Sequence, residues 1–600
     1  MALKMFLENL IRNPIQKQDV LLIYLSVTFE SFVSNIPPIG ILSIGTVLKQ
    51  DGFKIRCLTS NDIFGIKADL RRTFFASQAP KVIGFSVDSD NIHITVKLAE
   101  KMRKWLPNTT FIVGGPLATI EKEKILEYKV FDYCSIGEGE YSIRDFCRAI
   151  IRGEGDVKKV PGIYYRDNDK IYLTAPAKII ENLDDLPQLD YSLCGNKANN
   201  MYLSGRGCPF NCAFCTKVMP EGYRYFSSKR VVSDIIRIAE HGETFIKIGD
   251  DTFIANVNRV KEVCEGLVEE KRKKKMNFHL YCEGRVDIIN RHPDLIDYLK
   301  QAGMIRMQIG IESGLDETLK TYNKRITTKE IEDAVDLIYT KKPIIICGNL
   351  ILSAPFDTYE KFRKSLDFMK KLINKAPGFV EIFLPHLCPY PKTAIREHIE
   401  DYGLDIIDTE WVTGVTCDMV SCVPKGLKEE DIIKMRLEAN NEINNEYDRI
   451  VRNMPYEDVL FHLERHLYGG RSVYYNRLIM KMSMIEPYFK MKQVKNGYRL
   501  DDLKTSEFKN SYPTRVMMSP KYTDDCKGFI LDITSNEHET ITDELEKQLY
   551  LFSFGKLNAD EIADRLAKLM SEKTKNEIIE NFMIPTYRKW ENLYHLFFVY

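Results

Sequence analysis

The chain lacks a charge excess. Its 600 residues carry 85 Lys and Arg against 85 Asp and Glu, a formal net charge of zero. No basic surplus marks nucleic acid as an obligatory partner. The basic end of "EEKRKKK", Glu269–Lys275, reads as the solvated end of a helix. Cysteine is sparse, 14 in 600, which excludes a disulfide-built scaffold. No apolar run reaches the length of a membrane span. "VLLIYLSVTF", Val20–Phe29, has the apolar character of a signal core, but Glu30 and then "NIPPIG" follow it in place of a small-residue cleavage site. It reads as a buried first strand. There is no low-complexity tract and no repeat beyond a strand–helix alternation. These absences point to the reducing cytoplasm, with neither membrane nor nucleic acid as partner. Apolar content of 44% with 28% charged residues is that of an ordinary globular protein, long enough for about three or four domains.

Against that sparseness, "GRGCPFNCAFC", Gly205–Cys215, places Cys208, Cys212 and Cys215 within eight residues, in a C-x3-C-x2-C spacing. Disulfides would leave an odd thiol and need an oxidising compartment. A closed structural zinc site wants four ligands, usually as two separated pairs. A four-iron cluster on three thiolates leaves one iron open to another ligand. The spacing favours the cluster over zinc, and the rest of the chain has to decide.

Residues 1–150 alternate short apolar runs with amphipathic stretches: "DVLLIYL", the helix "IGILSIGTVLKQDGF", "IRCL", "KVIGFSV", the helix "NIHITVKLAEKMRKWL", "TFIVGG" and "FDYCSIG". This is the pattern of a doubly wound parallel sheet, an α/β fold with helices on both faces. Ligands bind such sheets at the carboxyl ends of the strands. The small-residue turns fall there: Ser86 in "SVDSDN", Gly114 and Gly115 in "GGPLAT", and Gly137, Glu138 and Gly139 in "GEGE". Residues 151–197 read as a linker containing a small hairpin, "VPGIYYRDNDKIYL".

A second series fills 198–426, with strands "MYLS", "FIKIGDD", "FHLYCEGR", "RMQIGIESG", "IIICGNLIL" and "FVEIFLPHL". Six βα units predict an incomplete (βα)6 barrel. The cysteines follow its first strand. Polar and turn residues follow the later ones: Asp250 and Asp251, then Glu283 and Arg285, then Gln308, Glu312 and Ser313, then Pro355. All belong to the face that carries chemistry in βα barrels. Residues 427–600 read as mostly helical.

On these residues the chain, from about residue 18 to 400, resembles the cobalamin-binding radical S-adenosylmethionine enzymes, in particular their class B methyltransferases. The resemblance implies three cofactors: a [4Fe-4S] cluster on Cys208, Cys212 and Cys215, S-adenosyl-L-methionine, and cobalamin. It places "GDDTF" (Asp250, Asp251) near the methionine amino group and "CEGRVD" (Glu283, Arg285) near ribose or carboxylate. "IGIESG" (Gln308, Glu312, Ser313) falls beside the ribose, and "GNLILSAP" (Pro355) takes the place of the adenine-contacting strand, with Ser353-Ala354 where glycine is usual. Ser86, Gly114, Gly115, Gly137, Glu138 and Gly139 fall to cobalamin. The D-x-H-x-x-G motif that supplies a histidine to cobalt elsewhere is absent. His93, the sole histidine in the first 200 residues, sits in a helical pattern, so the lower face of the cobalt is expected without histidine.

The implied reaction is reductive cleavage of S-adenosylmethionine, hydrogen abstraction from an unactivated substrate carbon, and methyl transfer from methylcobalamin. Cyclisation, ring contraction or another rearrangement with the same cofactors is the alternative. A cobalamin- or redox-sensing protein is disfavoured, because a sensor needs no open-iron cleavage site. The substrate is a small molecule or a ribosomally made peptide, and an electron donor such as flavodoxin or ferredoxin is required. "ITDELEKQLYLFSFGKLNADEIADRLAKLM" predicts two helices, with Asn558 and Glu561 as a capping box. With the strand "GFILDITSN" before them, residues 526–600 weakly resemble winged-helix modules that hold leader peptides. Cys57, Cys134, Cys147, Cys264, Cys282 and Cys347 read as core. Cys388, Cys417, Cys422 and Cys526 match no compact cluster motif.

Overall fold

The computed structural model describes residues 17–25, 38–64, 74–75, 80–168, 170–194, 201–218, 222–407, 420–455, 457–459, 461–462, 472–480, 497–498, 500, 503–515, 521–522, 529–534, 537–553, 557–570, 573–592 and 596–599. Cys417 and Cys526 lie outside the described residues. Two compact units emerge, residues 1–375 with 382–441, and residues 376–381 with 442–600.

The first unit opens with a seven-stranded sheet: β1 (Val20–Tyr24), β2 (Ile55–Thr59), β3 (Val82–Ser86), β4 (Thr110–Gly114), β5 (Tyr133–Ser135), β6 (Ile163–Asp167) and β7 (Lys170–Leu173), in the order β2-β1-β3-β4-β5-β6-β7. β1 runs parallel to both β2 and β3, with Val20 opposite Ile55 on one side and Val82 on the other. Because both faces are covered, β1 is apolar throughout. Leu21 and Ile23 join a core with Ile92, Leu98 and Met102 of the helix Ile92–Trp105. Val20 and Leu22 join the opposite core, with Ile41 and Leu48 of the helix Ile39–Gln50. The order reverses at β1 and β3, and a crevice opens beyond strand ends at such a switch. β6 and β7 extend the sheet antiparallel. The hairpin expected inside a linker is thus part of the first sheet. His93 stands in the helix Ile92–Trp105.

The second sheet is built from β8 (Met201–Tyr202), β11 (Phe245–Ile248), β12 (His279–Gly284), β13 (Met304–Glu312), β14 (Ile345–Leu350) and β15 (Val380–Phe383), in that sequential order. The pairings from β8 to β14 are parallel, and helices such as Ser228–Glu240, Val257–Lys274 and Thr328–Thr340 cross between the strands. This is the open βα arrangement expected. A short antiparallel pair, β9 (Gly205–Arg206) and β10 (Arg224–Tyr225), flanks the cysteine loop. "EEKRKKK" ends the helix Val257–Lys274, as expected.

The second unit is helical around a core of Phe508, Leu549, Tyr550, Ile562, Leu566, Met583, Tyr587 and Trp590. Asn558 and Glu561 form the anticipated capping box at the start of Ala559–Ala567. Two small antiparallel sheets accompany the helices, one of them with Phe529–Thr534 between Lys521–Tyr522 and Glu537–Ile541. Among the described residues no helix is long and apolar enough to cross a membrane.

Candidate functional site

Cys208, Cys212 and Cys215 line one cavity of about 310 Å³, together with Phe210, Phe214, Asp251, Glu283, Arg285, Gln308, Gly310, Glu312 and Lys324. The loop that carries them is tied to the turn after residue 321. Ala213 N donates to Tyr322 O at 2.8 Å, Asn323 Nδ2 donates to Asn211 O at 2.6 Å, and the Phe214 and Tyr322 rings meet edge-on at 5.0 Å. Cys208 and Cys212 are half-buried and Cys215 is exposed; partial burial pushes the Cys208 thiol up. Cysteine binds a metal as thiolate, so loading a cluster releases thiol protons. Among the described residues no three His, Cys, Asp or Glu side chains gather around a single ion position. A cubane's three thiolates sit on three separate irons, and one cavity lined by all three cysteines fits it.

Arg285 is the cation of this cavity that reaches a cysteine sulfur. Its Nη1 lies 3.9 Å from Cys212 Sγ, its Nη2 donates to Lys324 O at 2.8 Å, and its guanidinium covers the Phe210 ring at 3.7 Å. Lys324 Nζ pairs with Glu312 Oε1 at 2.7 Å, both buried. Glu312 has φ +64, the left-handed region that non-glycine residues rarely take. A Cβ at Gly310 would collide with this pair. Glu283 is pushed up to about 7 by burial, with Asp251 and Glu312 adding to it. Gln308 accepts from Tyr281 Oη at 3.0 Å.

Asp250 and Asp251 divide. Asp250 is buried, and its carboxylate accepts from Ser204 N and Ser204 Oγ, both at 2.5 Å. Burial pushes it to about 6 even so. It braces the strand before the cysteine loop. Asp251 has no hydrogen-bond or ion-pair partner among the described residues and faces the cavity.

A second cavity, about 420 Å³, lies at the carboxyl ends of the first sheet, within the usual range of ligand pockets. Ser86, Gly114, Gly115, Gly137, Glu138 and Gly139, all anticipated, line it with Leu22, Ile41, Ile44 and Phe85. Gly115, at φ +100, passes so close to β3 that a Cβ would sit 2.8 Å from Val87 N and O. Its apolar walls and bare glycine backbone suit the close approach of a broad, flat macrocycle. Gly207, Val218 and Asp251 line both cavities, so the two open on a common wall.

Two expected residues stand elsewhere. Ser313 Oγ faces Ser365 Oγ at 3.3 Å and accepts from Leu315 N. Pro355 is buried. Neither lines either of these two cavities. Residues not anticipated join the walls: Lys324 in the first cavity, Arg206 and Glu140 in the second. "NKRIT" carries no strand-end signal, and an ion pair between distant segments leaves no local pattern.

Residues 25–146 match the B12 binding domain model, and residues 202–369 match the radical SAM superfamily model. The chain carries a B12-binding domain and a radical SAM domain. The cofactor set is accordingly cobalamin, a [4Fe-4S] cluster and S-adenosylmethionine. An uncharacterized methyltransferase of Pyrococcus horikoshii is 25% identical over 73% of this chain and 94% of its own length. The anaerobic magnesium-protoporphyrin IX monomethyl ester cyclase of Synechocystis is 28% identical over 51% of this chain and 62% of its own. Among solved structures, the cobalamin-dependent S-adenosylmethionine radical enzyme OxsB, with aqua-cobalamin and S-adenosylmethionine bound, superposes with a TM-score of 0.58 at 16% identity, over 96% of this chain and 84% of that one. That likeness is one of fold. The glycine-walled cavity is lined by residues of both domains, and the cysteine-lined one by residues of the radical SAM domain.

Proposed function

We propose that this chain is a cobalamin-dependent radical methyltransferase that places a methyl group on an unactivated carbon of a ribosomally made peptide. The observation that carries the reading is the common wall of the two cavities, Gly207, Val218 and Asp251. When bound, the cluster with S-adenosylmethionine supplies hydrogen-atom abstraction, and cobalamin supplies the methyl group. A carbon acted on by both has to lie where the cavities meet.

The chain's own residues supply placement. Cys208, Cys212 and Cys215 would hold the cluster. Arg285, fixed by Lys324 O and Asp287, holds the Cys212 thiol and offers positive charge to an anionic ligand. Glu283 and Gln308 line the floor as acceptors for a ribose or an amino group. Gly114, Gly115, Gly137 and Gly139 admit the macrocycle. Phe210 and Phe214 line the same cavity as the three thiols. Holding reactants in one geometry accounts for about 7–11 kcal/mol of a barrier.

The methyltransferase relative from Pyrococcus horikoshii supports net methylation. The cyclase relative supports a second reading, a rearrangement without methyl transfer. Peptide as substrate is supported by the second unit, where Glu537–Ile541 is an outer strand of a three-stranded sheet, an edge on which an extended segment can pair. Anaerobic incubation of the reconstituted protein with S-adenosylmethionine, cobalamin, reductant and candidate precursor peptides, read by mass spectrometry, tests the proposal. A peptide heavier by one methyl supports it. Turnover that leaves every peptide's mass unchanged or lowered by hydrogen loss favours the second reading.

A further inference from the structure

The two cavities are joined by more than their common wall. Arg206 ends β9, two residues before Cys208. Its guanidinium reaches back to the first domain, with Nη1 2.5 Å from Glu138 Oε1 and Nη2 2.5 Å from Glu140 Oε1. Arg224, directly opposite Arg206 in the antiparallel pair, donates from Nη1 to Glu138 Oε2 at 2.9 Å. Glu140 also accepts from Ser43 Oγ at 2.7 Å, and Glu138 from Ile180 N at 2.6 Å. Two arginines facing each other across a strand pair repel. Here two buried carboxylates stand between them, and the cluster of four closes at zero charge.

The same residues belong to the cobalamin cavity. Glu138, Glu140 and Arg206 all line it, with Ser43 and Gly205. Past Arg206 the chain has little freedom. Gly207 sits at φ +79, and a Cβ there would collide with the Gly222 carbonyl oxygen. Gly207 then opens directly into Cys208. A displacement of the "GEGE" loop is therefore carried through one guanidinium and one glycine into the cysteine loop.

We infer that Arg206 is a positioning residue that couples the two cofactors: occupancy of the glycine-walled cavity seats the cysteine loop, so cobalamin and S-adenosylmethionine bind with positive cooperativity. This rests on the cofactor assignment above and adds that the sites are not independent. Each ligand must strengthen the other by one and the same factor. Lysine at 206 keeps the charge but has no planar fork to span two carboxylates. Glutamine at 140 keeps the shape and weakens the charge-assisted bond.

The test is calorimetric titration of cluster-loaded, unreduced protein with S-adenosylmethionine, with and without saturating hydroxocobalamin. The wild-type dissociation constant is expected to fall about tenfold when hydroxocobalamin is present. In Arg206→Lys and Glu140→Gln the ratio is expected within about twofold of unity, with each ligand still bound and iron content retained. The reverse titration, hydroxocobalamin with and without S-adenosylmethionine, uses wild type alone and must return the same factor, so it decides the matter even if a variant does not fold. A wild-type ratio of one, or a full ratio in both variants, overturns the coupling. A protein that binds neither ligand fails the cofactor assignment instead, and the two failures cannot be confused.

Discussion

Arg285 holds Cys212: its Nη1 lies 3.9 Å from the Cys212 sulfur while its Nη2 donates to Lys324 O and its plane covers Phe210. Cys212 and Arg285 are 73 residues apart in the chain. One buried guanidinium thus pins the middle of the cysteine loop to the far side of its cavity. Charge-assisted hydrogen bonds of this kind contribute about 1.5–3 kcal/mol each. Arg285→Ala is expected to lower iron content after anaerobic reconstitution by more than half while hydroxocobalamin still binds. Iron at the wild-type level would show that the loop is held without Arg285.

Replacing Cys208, Cys212 and Cys215 together with Ala should remove nearly all of the about four irons per chain that a cubane brings. Formation of 5′-deoxyadenosine should cease. None of the three cysteines lines the glycine-walled cavity, so absorption titration should still detect cobalamin. A triple variant with full iron would place the cluster elsewhere.

Glu283 predicts a pH effect on the empty protein. Its carboxyl is pushed from 4.5 to about 7 by burial and by Asp251 and Glu312. The folded chain therefore holds this proton more tightly than the unfolded chain does. Stability from this group is present below 4.5 and declines as pH rises through 7. The loss reaches at most about 3 kcal/mol. Glu283→Gln is expected to unfold in urea much as wild type does at pH 5 and to be the more stable of the two at pH 8. An equal gap at both pH values would mean that Glu283 is not the group responsible.

Gly115→Ala tests the cobalamin cradle. At φ +100, with Val87 N and O 2.8 Å from the new Cβ, the substitution adds strain and pushes on β3. A stability loss of about 2–3 kcal/mol is expected. Hydroxocobalamin affinity should weaken at least about tenfold, since every 1.4 kcal/mol is a factor of ten. Unchanged affinity would remove Gly115 from the cradle.

Much of the fold was legible because its signals are local. "VIGFS" and "VLLIY" are runs that only a doubly covered parallel strand buries, and Asn558 with Glu561 is a cap readable from four letters. The ends of the first four barrel strands were legible too, since residues that follow or end them line the cysteine cavity. What failed was the direction of single side chains just past a strand end. Ser313 follows Glu312, whose left-handed backbone turns the chain away, so its hydroxyl meets Ser365 rather than the cavity. Asp250 lines the glycine-walled cavity, but its carboxylate is held by Ser204. Glu138 lies on the cobalamin cavity as expected, but its carboxylate is taken by Arg206, Arg224 and the Ile180 amide. Partners 42 to 86 residues away leave no trace in a local pattern.

The central claim is that two cofactors act on one carbon at the common wall. It is tested most directly by supplying methyl-labelled S-adenosylmethionine, hydroxocobalamin and reductant to the anaerobic protein with precursor peptides. 5′-Deoxyadenosine and S-adenosylhomocysteine are then counted against labelled peptide. Methyl transfer at the wall predicts the three in comparable amounts, with the label on carbon. 5′-Deoxyadenosine formed alongside an altered but unlabelled peptide, with no S-adenosylhomocysteine, would contradict it.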